Sequence, residues 1–397
     1  MMLALQPLQS LSDVVGAYWP VLVVSFGISL LATPLCRAFA KRFNVVDRPD
    51  DWLKPHEQPI PYLGGVAIFL AWAGGILFGV WWIGRQDPWG EMDWAHLAPL
   101  TINSPMLLGI LVGGTAIMAL GLFDDLRMAS PIVKLAGNIT VALVLVFVGL
   151  GDDFVGTAAA KFGVHMTGPD AWLNWVYTVP LTVFIVVGAC NATNLLDGMD
   201  GLCSGVLGII SFGFMILALH LHMYGAWHHD NVIRVLVTLS MMGGALGFLP
   251  YNRNPASIFM GDAGSMLLGF TAAVMILMFA EDQVLKWMLG AIVVVGLPIA
   301  DMALALIRRW RAQRPLMMGD RSHFYDQLRD RGLSVKRVVA ISYGLSAFFA
   351  AAGCLVPIFF RTRYVVPIYA FLGVLTLAAI KKFRMLRVDS PATEPKQ

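Results

Sequence analysis

The chain has 397 residues, of which 58% are hydrophobic and only 13% charged, and its mean hydropathy is +0.71. Soluble globular proteins carry about 25% charged residues, so this composition excludes a cytosolic enzyme, a disordered chain and a nucleic-acid-binding domain. A net charge of +3 is too small to call for a polyanionic partner. Cys36, Cys190, Cys203 and Cys354 stand singly in or beside apolar runs, as buried core residues do, without a CxxC pair or a disulfide framework.

A membrane-spanning helix needs about 20 mostly apolar residues. In chain order such runs fall near 15–36, 64–83, 106–123, 131–150, 172–190, 201–223, 232–250, 263–280, 287–307, 338–360 and 364–381. The expected fold class is therefore an all-α polytopic integral membrane protein of about eleven transmembrane helices. Residues 1–14 hold no Lys or Arg, so the first run is expected to be an anchor rather than a cleaved signal. Of the 28 Lys and Arg, 22 fall in the segments 37–63, 124–134, 191–200, 251–262, 308–337 and 381–397. The positive-inside rule places those segments in the cytoplasm, with the N-terminus outside and the C-terminus inside. Trp89, Trp94, Trp172 and Trp175 edge the outer loops 84–105 and 151–171, as interfacial belts do.

Three short loops on the cytoplasmic side are acidic where basic residues would be favoured. They are Gly121–Arg127 with Asp124 and Asp125, Asn191–Gly201 with Asn194, Asp197 and Asp200, and Phe259–Ser265 with Asp262. Two spans separate each consecutive pair, so all three emerge on one face. Five crowded carboxylates, with only Arg127, Lys134 and Arg253 nearby, call for a cation, and Mg²⁺ takes one or two carboxylates plus substrate phosphates. Each loop alone has a plainer reading. Asp124-Asp125 can be a solvated helix end. Asp197 and Asp200 share a face if helical, or form Asx turns stiffened by Gly198 and Gly201. Gly261–Ser265 can be a simple helix cap or a cradle for an anion.

The long loop 308–337 is basic. Arg308 to Arg314 reads as an anchor for anionic lipid head groups, whereas Asp320-Arg321-Ser322-His323 combines an imidazole with a guanidinium suited to phosphate. His220, His222, His228 and His229 cluster at the outer end of a span, where an interfacial role is expected. Asp301 lies inside a span and is a functional candidate or a structural group bonded across helices. Gly109xxxGly113 and Gly243xxxGly247 point to close helix packing.

The ordered set of motifs resembles the polyprenyl-phosphate N-acetylhexosamine-1-phosphate transferases, glycosyltransferase family 4, whose superfamily includes phospho-N-acetylmuramoyl-pentapeptide transferase. It comprises Val46-Asp47-Arg-Pro49, Lys54-Pro-His56 and Pro59–Gly65, then Phe123–Asp125 with Pro131–Gly137, the Asn191–Leu202 run, Phe259–Ser265 and the histidine loop. The resemblance implies an eleven-span enzyme of the bacterial cytoplasmic membrane, with residues 1–387 as one transmembrane catalytic domain and 388–397 as a disordered cytoplasmic tail. Such an enzyme passes a sugar-1-phosphate, here N-acetylglucosamine-1-phosphate, from a UDP-sugar to undecaprenyl or another polyprenyl phosphate and releases UMP. By the same resemblance Asp262 would bind Mg²⁺, for which Mn²⁺ could substitute, and Asp124, Asp125 and His323 would be catalytic. Asp124 would deprotonate the lipid phosphate or attack as a nucleophile, with Asp125 supporting it. Lys134, Asn191, Asn194, Asp197, Asp200 and Arg321 would bind substrate, and a homodimer is compatible with the pattern.

Two departures from the family pattern stand out. The histidine loop holds one histidine, His323, where relatives that use N-acetylglucosamine or muramoyl-pentapeptide often carry several. This argues against the muramoyl-pentapeptide enzyme. Tyr62 stands where many relatives have a basic residue, removing one phosphate contact. An ion-coupled lipid or sugar transporter would gather its acids near the midplane, and a CDP-alcohol phosphotransferase would follow its first Asp-Gly with Ala-Arg rather than Met199-Asp200.

Overall fold

A computed structural model describes residues 11–47, 59–85, 104–151, 171–224, 230–280, 284–313 and 323–386. The motif residues Arg48 to His56, the outer-loop Trp89 and Trp94, His228, His229, Arg321 and the tail 388–397 lie outside the described residues.

Thirteen helices follow one another among the described residues: α1 Leu11–Arg42, α2 Gly64–Arg85, α3 Pro105–Arg127, α4 Pro131–Phe147, α5 Ala171–Leu196, α6 Leu202–Tyr224, α7 Asp230–Asn252, α8 Gly261–Ala280, α9 Leu285–Val294, α10 Gly296–Arg311, α11 Phe324–Asp330, α12 Val335–Phe359 and α13 Thr362–Lys382. A two-residue antiparallel bridge, Val46–Asp47 with Ile60–Pro61, is the one departure from helix in that set.

Each of the eleven expected spans holds helix, and nine of the helices are long and apolar enough to cross a membrane. Two of the expected spans look different. The fourth, α4, is only 17 residues long. The ninth, expected as one rod over 287–307, is broken instead: α9 and α10 meet at Val295 with a bend of 70°. Hydropathy runs through this break, but Gly296 and Pro298 open α10 as a fresh helix start.

Helix α8 is the axis of the bundle. It packs on α2, α3, α5, α6, α7 and α9, and every residue from Ala263 to Ala280 is buried. In a membrane such packing depends on small residues and on hydrogen bonds between helices. Both occur where α1, α2 and α7 meet. Ser25 Oγ donates to Ala71 O at 2.9 Å and to Ser240 O at 2.8 Å. A Cβ at Gly243 or Gly247 would meet the α1 backbone of Phe26 at 2.7 and 2.5 Å, which bears out the packing expected of that glycine pair. The glycines Gly109 and Gly113 instead face the side chains of Val148 and Phe270. All four cysteines are free, and three of them are buried.

Helix α13 has most of its apolar surface outward. Trp172 and Trp175, at the start of α5, are exposed as an interfacial belt requires.

Candidate active site

The site begins with a tight helical hairpin. Helix α3 ends at Met128, whose left-handed backbone (φ 52°) lets its N–H return to Asp124 O at 2.8 Å. Ser130 and Pro131 then start α4, the serine hydroxyl accepting from Val133 N. Three residues after Pro131, Lys134 is carried back alongside Asp124. Its ammonium donates to Asp124 Oδ2 at 3.0 Å and also to Asp262 Oδ2, bridging α3 to α8. The other Asp124 oxygen accepts from Ala129 N at 2.7 Å. The other Asp262 oxygen accepts from Asn194 Nδ2 at 2.6 Å, and Asn194 also donates to Ser265 Oγ. Four residues from four helices therefore close on one another: Asp124, Lys134, Asn194 and Asp262.

Asp125 points elsewhere. Its two oxygens accept from the backbone amides of Asp262 at 2.9 Å and Ala263 at 3.2 Å, so it caps α8 from a neighbouring helix. Gly261 (φ +66°) is required at this helix start, because a Cβ there would meet Asp125 Oδ2 at 2.5 Å. The strand of chain before α8 is clasped by the first-loop motif: Phe259 N donates to Pro61 O, Gly64 N to Phe259 O and Gly65 N to Met260 O. A Cβ on Gly65 would lie 2.7 Å from Met260 O and from the Ala263 carbonyl carbon, so the close approach depends on that glycine. Tyr62, expected from the sequence only as a missing phosphate contact, donates from its hydroxyl to Asp125 O at 2.8 Å. This bond ties the first-loop motif to the end of α3.

Residues 197–201 form a turn, so the helical reading of Asp197 and Asp200 does not hold. Nor does Asp200 make a local Asx turn. Its carboxylate reaches across to the segment after α7, accepting from Asn254 Nδ2 at 2.9 Å and Ala256 N at 3.0 Å. Asn252 completes the join, its Oδ1 accepting from Gly201 N and Ser204 Oγ. No donor among the described residues satisfies the Asp197 carboxylate. Burial, then the negative charges of Asp262, Asp125 and Asp200, push it well above the usual carboxylate range. Asn191 is exposed and donates to Val187 O within its own helix, so it is not drawn into the cluster.

His323, buried, begins the short helix α11. Its Nδ1 lies 2.8 Å from Asp301 Oδ2, and its ring stacks on Tyr325 at 5.4 Å. Tyr325 donates to Leu195 O at 2.8 Å, tying the histidine loop to the turn that holds Asp197. A Cβ on Gly198 would overlap the Tyr325 hydroxyl, so this contact rests on glycine as well. Arg308 and Arg309 were expected at lipid head groups. They are buried, and Arg308 donates to Met385 O at 3.2 Å, so the segment after α13 covers this end of α10. His220 packs against Tyr224 and Trp287, and His222 against Tyr18, consistent with an interfacial aromatic cluster.

No group of three or more His, Cys, Asp or Glu at metal-binding spacing occurs among the described residues. The charge balance nevertheless suits a cation. Asp124 and Asp262 share the one Lys134 ammonium, while Asp197, which lacks a donor among the described residues, feels the negative charges of Asp262, Asp125 and Asp200. A site that holds Mg²⁺ through one or two carboxylates and substrate oxygens needs no larger protein cage.

Residues 107–280 match the family described as Glycosyl transferase family 4. The chain is 32% identical over 336 residues, 83% of each protein, to a Bacillus subtilis (strain 168) protein named a probable undecaprenyl-phosphate N-acetylglucosaminyl 1-phosphate transferase. It belongs to glycosyl transferase family 4. A decaprenyl-phosphate N-acetylglucosaminephosphotransferase of Mycobacterium tuberculosis (strain ATCC 25618 / H37Rv) is also 32% identical, over 89% of this chain and 85% of the relative. The phospho-N-acetylmuramoyl-pentapeptide-transferase of Halalkalibacterium halodurans is 29% identical over 83% of this chain and 94% of its own. The nine span-length helices and these bacterial relatives make this glycosyl transferase family 4 member a multi-pass membrane protein. The matched region contains Asp124, Asp125, Lys134, Asn194, Asp197 and Asp262; Asp301 and His323 lie beyond it.

Proposed function

We propose that this protein is a Mg²⁺-dependent transferase that moves N-acetylglucosamine-1-phosphate from its UDP-sugar to undecaprenyl or another polyprenyl phosphate. The site would face the cytoplasm of the bacterial inner membrane, where a soluble nucleotide-sugar and a lipid-anchored acceptor can meet. The observation that carries this reading is Lys134 bridging Asp124 and Asp262 at the start of α8, a cation held among carboxylates at one end of the bundle. Such an ammonium favours phosphate oxygens, and the carboxylates beside it favour a divalent cation.

In this reaction an oxygen of the polyprenyl phosphate bonds to the β-phosphorus of the UDP-sugar. The bond between that phosphorus and the bridging oxygen breaks, and UMP departs with the electron pair. A phosphate monoester has a second pKa of about 6, so near neutral pH its attacking oxygen already lacks a proton. That favours direct attack over an aspartyl intermediate. Phosphoryl transfer then depends mostly on alignment and charge stabilisation. Asp262 would hold Mg²⁺, which neutralises diphosphate oxygens and steadies the departing UMP. Asp124 orients Lys134 towards the acceptor phosphate, Asp125 holds the first turn of α8 in place, and Asn194 orients Asp262. Asp197 would meet the nucleotide side, and His323 would donate to the diphosphate. Arg321 would complete the substrate contacts in this reading, whereas Asn191, bonded within its own helix, takes no part.

The test is UMP release from purified protein supplied with Mg²⁺, undecaprenyl phosphate and a panel of UDP-sugars. UDP-N-acetylglucosamine should support turnover. Silence with every UDP-N-acetylhexosamine would overturn the reading, and turnover only with UDP-N-acetylmuramoyl-pentapeptide would move the chain to its other relatives.

A further inference from the structure

Asp301 sits six residues beyond the bend between α9 and α10 and is 2% exposed; His323, which it meets, is 4% exposed. The two Asp301 oxygens have separate partners. Oδ2 meets His323 Nδ1 at 2.8 Å, and Oδ1 accepts the backbone N–H of Phe324 at 2.9 Å. An ionised carboxylate only accepts, so the ring nitrogen facing it carries a proton and Nε2 is the nitrogen left for other partners. The ring cannot easily turn away. Its face lies on Tyr325 with the planes 9° apart, and Tyr325 is itself fixed to Leu195 O.

We propose that Asp301 is a positioning residue for the transfer reaction: it holds His323 in the Nδ1–H form, with Nε2 presented to the substrate phosphates. The inference rests on the transferase reading for its chemistry and on the Asp301–His323–Phe324 geometry for its structure. With Nε2 also protonated, the ring becomes a cation that donates to a diphosphate oxygen, and Asp301 offsets its charge, as the aspartate of a catalytic triad does for its histidine. The broken ninth span thereby acquires a purpose, since its second half brings a carboxylate to the histidine loop. Tyr325, on which the His323 ring stacks, in turn feels Asp326 on α11, Asp301 itself, Asp197 in the turn after α5 and Cys203 on α6.

Asp301→Asn is the informative change. Asparagine offers one acceptor and one donor in nearly the same shape. If its oxygen keeps the Phe324 N–H, its amide N–H faces His323 Nδ1 and forces the proton to Nε2. Wild type, Asp301→Asn, His323→Ala and the double variant are compared for UMP release between about pH 5 and 8, where histidine changes charge. Histidine-labelled samples give the ¹⁵N signals of the ring, assigned by loss in His323→Ala. Asp301→Asn should lower kcat by about 10–100-fold, as loss of a group that fixes a functional imidazole does. KM for the UDP-sugar should change little. The pH profile of turnover should differ from that of wild type, because the group that faces Nδ1 has changed from an acceptor to a donor. The ring proton should move from Nδ1 to Nε2, and in the His323→Ala background Asp301→Asn should cost nothing further.

An unchanged pH profile, or an equal loss with and without His323, would make Asp301 merely structural. A wild-type ring protonated on Nε2 alone would overturn the proposal even if Asp301→Asn failed to fold. Absence of UMP release from wild type would defeat the transferase reading instead, and the ring signals would still decide whether Asp301 sets the tautomer.

Discussion

Asp125 caps the helix that carries Asp262, its two oxygens accepting the Asp262 and Ala263 amides at 2.9 and 3.2 Å. Its neighbour Asp124 turns outward and grips Lys134 at 3.0 Å. Two adjacent aspartates at one helix end thus do different work, one architectural and one electrostatic.

Replacement should separate them. Asp125→Ala strips the cap and should destabilise the fold by about 1–2 kcal/mol, the usual range for a lost helix cap, with turnover falling as Asp262 shifts. Asp124→Asn should leave thermal stability nearly intact while turnover drops sharply. Melting temperatures and UMP release, measured on both variants, check the contrast. Equal melting temperatures would contradict the capping role.

Lys134→Met removes the positive charge between Asp124 and Asp262 but keeps the length of the side chain. Loss of one positioned charge at a reacting group costs about 100-fold or more in rate, and that loss is expected in kcat. Lys134→Arg, which can reach both carboxylates with a broader fork, should retain more activity than Lys134→Met. Methionine matching arginine in a steady-state assay would remove Lys134 from the chemistry.

Asp262→Asn should eliminate the dependence of turnover on Mg²⁺ along with turnover itself. Mn²⁺ supplied as a spectroscopic substitute should give a bound signal with wild type and lose it in the variant. Strong Mn²⁺ binding by Asp262→Asn would assign the metal to another carboxylate.

Asp197 predicts the pH behaviour of the metal-free protein. Its carboxyl is raised in the fold by burial and neighbouring carboxylates, so between the ordinary carboxylate range and that raised value the folded state binds more protons than the unfolded one. Stability then falls as pH rises through this window. Asp197→Asn should flatten the dependence and raise the melting temperature at the upper end, at the expense of turnover. A divalent cation, favouring the ionised form, should displace protons on binding and bind more tightly as pH rises. Calorimetry in buffers of different ionisation enthalpy reads that release directly.

Gly121→Ala tests how closely α3 must approach α8. An added Cβ would lie 2.5 Å from Ala263 N and from the Asp262 carbonyl carbon and oxygen. Overpacking of this sort costs about 1–3 kcal/mol, and a displaced Asp262 should lower activity beyond what the stability loss explains. Thermal melts with turnover normalised to folded protein decide it.

Much of this arrangement was readable from the chain. The apolar runs locate the helices, and the acidic loops between them locate Asp124, Asp197 and Asp262 on one side. What could not be read was which oxygen serves which partner. Asp124 and Asp125 are equivalent as letters, and only the approach of α8 distinguishes them. Asp200 looks like a substrate ligand until Asn254 and Ala256 close around it. Tyr62 reads as a missing cation, yet its hydroxyl reaches the Asp125 carbonyl. Asp301 and His323 are 22 positions apart with no periodic link, so their meeting depends on the bend at Val295. The Gly296–Pro298 pair was the available sign of that bend, masked by unbroken hydropathy on both sides. Asn252 and Tyr325 join elements around the site, and a buried polar residue at a span end was the only signal for the first.

Gly65 and Gly121 press on the first turn of α8 from different helices, and Gly261 within that turn has no room for a Cβ against Asp125. The end of the site where α8 begins is therefore a locked part, intolerant of even one added carbon. A lineage that changes which sugar it carries has to do so at residues clear of this knot. Donor preference and transfer chemistry can then evolve as nearly independent traits.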